Sequence, residues 1–161
     1  MSITFSTGEL LNIAIGNERR GIAFYDIMTR SADSDSARKT FQYLADMERD
    51  HIQVFQGMLD EVDKYKIPEG YAEEYSDYLQ ALVDTAIFSD ELVSSELATQ
   101  ADSDIKALEL AIGAEKDAIL FYYMMKELMP QRGQATVDKI IAEEKSHLRQ
   151  LSELRHKPAA A

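Results

Sequence analysis

Ala14-Ile15-Gly16-Asn17-Glu18-Arg19-Arg20-Gly21-Ile22-Ala23-Phe24-Tyr25 returns 97 residues later as Ala111-Ile112-Gly113-Ala114-Glu115-Lys116-Asp117-Ala118-Ile119-Leu120-Phe121-Tyr122, with seven of the twelve pairs identical. Glu48-Arg49-Asp50-His51 likewise returns, 96 residues on, as Glu144-Lys145-Ser146-His147. Each half of the chain therefore supplies one lone glutamate and then a Glu-x-x-His. Self-similarity at a near-constant offset marks one supersecondary unit used twice.

The four repeated glutamates sit inside apolar stripes. Four and seven residues to either side of Glu18 are Leu11, Ala14, Ile22 and Tyr25, and around Glu48 they are Phe41, Leu44, Ile52 and Phe55. Around Glu115 they are Leu108, Ala111, Ile119 and Tyr122, and around Glu144 they are Val137, Ile140, Leu148 and Leu151. Those offsets share one helix face, so the carboxylates point with the apolar residues toward a core. Chance placement would give ~0.6 such glutamates in the chain. None of the other eleven glutamates has this setting. Four like charges buried without compensation would cost many kcal/mol, so the carboxyls are protonated or cations sit among them. The reading adopted is cations.

Helical periodicity runs almost end to end, strand-like alternation is absent, and only seven glycines and three prolines interrupt it, which predicts an all-α chain. Ser6 and Glu9 form a capping box that opens a first helix reaching about Arg30. The cluster Ser31 to Asp35 breaks it and starts a second helix to about Tyr65, followed by a turn at Ile67-Pro68-Glu69-Gly70. Asp102 or Ser103 starts a third long helix, Pro130 to Gly133 end it, and a fourth reaches about His156. The short loops make two antiparallel hairpins. The connection at about 66–101, with shorter amphipathic segments, is long enough to run back along the bundle and place the second and third long helices parallel. That is a four-helix bundle with one long crossover, a single domain over residues 1–161 with the bundle at about 6–156. Glu18 and Glu48 lie about fifteen residues either side of their loop, roughly 22 Å from the turn, and Glu115 and Glu144 are similarly balanced. Six side chains, Glu18, Glu48, His51, Glu115, Glu144 and His147, are thereby expected at one level.

A net charge of −12 argues against nucleic acid and anionic membrane surfaces as partners. The absence of cysteine excludes disulfides, iron–sulfur clusters and cysteine–zinc sites. Met1 to Gly8 lacks the pattern of a signal peptide, and no stretch approaches the ~18 apolar residues of a membrane span, so a cytoplasmic location is expected.

A glutamate and a histidine three residues apart lie ~60° from each other on a helix and reach adjacent ligand positions. Four carboxylates are neutralised by two divalent cations. Oxygen-rich ligation with one imidazole per metal suits iron or manganese better than calcium or structural zinc. One glutamate from each of two helices and Glu-x-x-His from each of the others is the donor set of ferritin-like di-metal bundles.

These hairpins, with a tyrosine seven residues after each lone glutamate, resemble the rubrerythrin branch of the ferritin-like superfamily over about residues 6–156. The resemblance implies two iron ions, with manganese or zinc as other occupants. It implies Glu48 and Glu144 as bridges, Glu18 and Glu115 as terminal carboxylates, and His51 and His147 each capping one metal. It also implies reduction of peroxide or oxygen, and a homodimer. Two departures stand out. Rubrerythrins usually append a rubredoxin-like domain with four cysteines, and this chain has none, so electrons are expected from another protein such as a rubredoxin. Where the family carries a further carboxylate one turn after the third helix's glutamate, this chain has Ala118, which leaves a more symmetric site.

Other readings stay open on the sequence alone: an iron-handling or ferroxidase protein, or a metal-free helical interaction module. Tyr25 and Tyr122 are either core aromatics or hydroxyls that bond a ligand carboxylate or carry a transient radical. Glu153 and His156 mimic the motif but face away, ~180° around the helix from His147. Tyr71, Tyr75 and Tyr78 are expected to pack the crossover, while Arg19, Arg20, Lys116 and Glu143 are expected in solvent.

Overall fold

The computed structural model describes residues 6–66, 71–88 and 103–156. Helix α1 spans Thr7–Ser31 and α2 spans Asp35–Asp60. A short helix α3 spans Tyr71–Asp84 in the crossover, and α4 (Asp104–Leu128) and α5 (Gln131–His156) form the second hairpin. No strand occurs among the described residues. No described helix is long and apolar enough to cross a membrane.

The helix starts follow from capping. Ser6, Ser34 and Ser103 each hold extended backbone and accept a hydrogen bond from the amide three residues on, at Glu9, Ala37 and Lys106. The Asp102 alternative lies outside the described residues, as does the turn at 67–70. The second helix is shorter than expected. It stops at Asp60, and Val62–Tyr65 tighten into a 3-10 turn. At the same end of the bundle, where Gly133 faces Tyr65, Pro130 stands just outside α5, its carbonyl accepting from Gly133 N at 2.8 Å.

Helices pack closely within each hairpin and more sparsely between hairpins, where α1 meets α4 and α2 meets α5. Two apolar clusters fill the bundle. One includes Leu10, Leu11, Phe55, Met58, Met125, Val137 and Ile140, and the other Phe24, Met28, Phe41, Leu44, Leu108 and Leu151. Buried carboxylates and imidazoles occupy the space left for polar groups.

The crossover is fastened along α4. Leu79 of α3 is 1% exposed and joins the first cluster. Phe88 stacks at a tilt on Phe24, 4.6 Å between ring centroids. Ile87 N donates to Asp117 Oδ2 at 2.8 Å, and Ile87 crosses α4 over Gly113, where any Cβ would collide with its Cδ1. Glycine lets the tip of Ile87 lie directly on the α4 backbone, and a larger residue there would make that tip turn aside. Tyr78 corrects the packing expected of it, being 44% exposed because it stands ~100° round α3 from the buried Leu79. The side chains of Tyr71 and Tyr75 lie outside the described residues.

Candidate metal centre

The repeat reads out in space as two donor groups. Glu18, Glu48, His51 and Glu144 each offer one ligand atom within 4.8 Å of the others, and so do Glu48, Glu115, Glu144 and His147. Glu48 and Glu144 belong to both groups. All six side chains are between 1% and 4% exposed. The face that carries each is the apolar stripe itself, so the burial that builds the core also buries the donors.

Both imidazoles turn Nδ1 inward. His51 Nδ1 lies 3.0 Å from Glu144 Oε1, 3.2 Å from Glu48 Oε2 and 3.5 Å from Glu18 Oε1. His147 Nδ1 lies 3.3 Å from Glu144 Oε2, 3.8 Å from Glu48 Oε1 and 3.9 Å from Glu115 Oε1. The rings stack with centroids 5.8 Å apart.

The tyrosines link the halves crosswise. Tyr25 of α1 donates to Glu115 Oε1 at 2.6 Å, and Tyr122 of α4 donates to Glu18 Oε1 at 2.5 Å. Each hairpin's hydroxyl thus holds the other hairpin's lone carboxylate. Burial first, and then the facing carboxylates, push both phenols well above their usual range, so they stay protonated donors.

The titration of the metal-free cluster shows what it lacks. Burial, with the charge of Glu144 next, pushes Glu48 and Glu115 well above the carboxylate range. Burial, with the charge of Glu18 next, pushes Glu144 up as well. Burial also works against Glu18, but hydrogen bonds from Glu48 and His51 outweigh it and keep that carboxyl below its usual value. Burial disfavours both imidazolium ions. At His51 the bonds to Glu144, Glu18 and Glu48 reverse this and hold its proton, whereas at His147 burial wins. The cluster therefore favours charge on Glu18 and on His51 and opposes it on Glu48, Glu115, Glu144 and His147. Among the described residues, Glu115 Oε2 and His147 Nε2 are buried without a hydrogen-bond partner. Polar atoms are seldom left so in a native interior unless something else satisfies them. Carboxylates and imidazoles converging without thiols are hard, oxygen-rich donors that fit a pair of divalent ions.

A cleft of about 590 Å³, counted with its open mouth, reaches the centre between α1 and α4. Its inner end touches the four glutamates and both tyrosines, and Leu82, Val83, Ala86 and Phe88 of the crossover wall one side.

Two sequence expectations need correction. Glu143 is half-buried rather than solvated, and its Oε2 lies 2.8 Å from His51 Nε2, the ring nitrogen facing away from the cluster. The signal was present: its neighbours at i−3 and i+4, Ile140 and His147, are both buried. Arg20 is half-buried, donating to Asn17 Oδ1 at 2.8 Å, because the lip of the cleft shelters it. Arg19, Lys116, Glu153 and His156 are exposed as expected.

Comparison with known proteins agrees with this geometry. The rubrerythrin family model matches residues 9–155. A solved structure assigned as a ferritin-like diiron-carboxylate protein, from Thermotoga maritima, is 31% identical, with a TM-score of 0.70. The match covers 96% of this chain and 97% of that one. No curated protein matches. A repeated hairpin with six converging donors, matched by the family over nearly its whole length, makes this chain a member of the rubrerythrin family with a ferritin-like fold.

Proposed function

We propose that the chain is a di-iron protein that reduces peroxide or oxygen at the Glu4His2 cluster, using electrons from a separate donor protein. The observation that carries this is the pair of donor groups sharing Glu48 and Glu144, the arrangement two bridged cations need. Glu18 with His51, and Glu115 with His147, complete the two ends. Bound iron would supply the electrons and the Lewis acidity that a bare cluster of oxygen and nitrogen donors lacks.

The chain's own part is position, access and protons. The cleft admits a small molecule to the inner edge of the cluster past an apolar wall of Leu82, Val83 and Phe88. Tyr25 and Tyr122 stand at that inner end with their protons retained, held by bonds to Glu115 and Glu18. Their part is to hold the two lone carboxylates in place beside the path of an oxygen arriving through the cleft. With no cysteine in the chain, a rubredoxin-type donor is part of the proposal, as is a homodimer on family likeness.

The test is metal content and reactivity together. Protein purified without chelators should carry about two metals per chain. After anaerobic loading with ferrous ion, stopped-flow mixing with peroxide should oxidise it within seconds. A centre that stays reduced for minutes rejects the redox reading, and fewer than about one metal per chain rejects the metal reading as well.

A further inference from the structure

The repeat gives the two halves the same set of six converging side chains, but the surroundings behind the two histidines differ. Behind His51, Glu143 Oε2 takes Nε2 at 2.8 Å. Behind His147, Nε2 is buried with no hydrogen-bond partner among the described residues. The residue that stands 96 positions before Glu143, and so holds its place in the other half, is Met47. A thioether is at best a weak acceptor. The aromatic neighbour of His147, Tyr43, meets it edge-on at 6.2 Å between centroids and does not satisfy that nitrogen.

This difference bears on metal binding through the tautomer. An imidazole that offers Nδ1 to a cation must carry its proton on Nε2. At His51 that N–H has a carboxylate waiting, which fixes the ring and makes Nδ1 the better donor. At His147 the same N–H would be buried and unmet, which opposes the tautomer that binding requires. Loss of such an outer partner weakens a metal site about 10–100-fold.

Resting on the di-metal reading above, we propose that the two cation positions are unequal. Glu143 is a positioning residue that makes the His51 position the tighter and first filled, by about 10–100-fold, and the His147 position the weaker. The repeated donor set alone would make them equal.

Zinc, being diamagnetic, is the probe. The chelator-treated chain, labelled with ¹⁵N-histidine, shows the rings of His51, His147 and the exposed His156 as its three histidines. The first equivalent of zinc should move the His51 ring nitrogens and leave His147 in place, and the second should move His147. Glu143→Ala should weaken the first step about 10–100-fold and abolish this order. Glu143→Gln, which keeps a carbonyl acceptor, should restore part of it. Met47→Glu supplies the missing acceptor and should tighten the second step with the first unchanged. It tests the idea even if Glu143→Ala fails to fold. Histidines that shift in parallel in the unmodified protein, or a Glu143→Ala protein in which His51 still fills first, overturn the inference and leave the di-metal reading intact. Failure to bind zinc at all overturns both.

Discussion

Glu18 keeps its charge in an apolar bundle because donors close around it: Tyr122 hydroxyl at 2.5 Å, His51 Nδ1 at 3.5 Å, and the Glu48 carboxyl. Tyr122→Phe removes one of these without changing packing, and a hydrogen bond to a charged group contributes about 1.5–3 kcal/mol. Urea denaturation of the metal-free variant should show a loss in that range. Glu48 has the opposite character, being pushed toward its neutral form by burial and by Glu144. Glu48→Gln fixes that neutrality, so the metal-free variant should be about 1–2 kcal/mol more stable than the parent at pH 8 while losing metal, checked by thermal melting and elemental analysis. A more stable protein that can no longer bind its ions is the signature of a donor kept for chemistry. The convergence of Glu18, Glu48, Glu115 and Glu144 was legible in the sequence because a glutamate within an apolar stripe contradicts its surroundings, and the Glu-x-x-His spacing brought His51 and His147 with them. Glu143 was not, because the polar neighbours Lys139 and Gln150 concealed how close it stands to the core.

Among the helices, legibility followed the strength of local signals. The serine caps and long stripes of α1, α2, α4 and α5 are short-range physics, and their limits agree with the sequence to within a few residues except where α2 yields to the 3-10 turn. The crossover was harder to read, since what fixes it is tertiary: a glycine on α4 under Ile87, and Asp117 accepting from Ile87 N. Burial raises the Asp117 carboxyl, opposed by that same bond. Asp117→Ala would leave the amide of Ile87 without its acceptor and cost about 1–3 kcal/mol. Amide exchange at Ile87 and Phe88 should accelerate accordingly, whereas Asp117→Asn, which still presents an oxygen, should stay near the parent. Unchanged exchange in Asp117→Ala would mean that the apolar contacts of Leu79 and Phe88 alone hold the crossover.

Over the whole chain, the buried charges make stability depend on pH in a direction that can be worked out. Glu48, Glu115 and Glu144 hold protons more tightly folded than unfolded, so their contribution is complete below about pH 4.3 and fades as pH rises through their folded values. His51 acts alike from about pH 6.5 upward because its proton too is held by the fold. Glu18 and His147 are depressed, so their contributions grow with pH but are essentially complete by about pH 7. Between pH 7 and 9 the chelator-treated protein should therefore melt at progressively lower temperature by circular dichroism. The metal-loaded protein should hold steady, and loading at neutral pH should release protons, measurable with an indicator dye in weak buffer. A metal-free protein whose melting point rises over that interval would contradict the assignment of charge.

The crosswise tyrosine bonds have one more consequence. Each hairpin grips the other through a hydroxyl that needs no ion, so this part of the frame is held by the chain itself. On the di-metal reading, cargo would meet a berth already cut to size, and filling it would mean trading protons for cations rather than assembling walls around them.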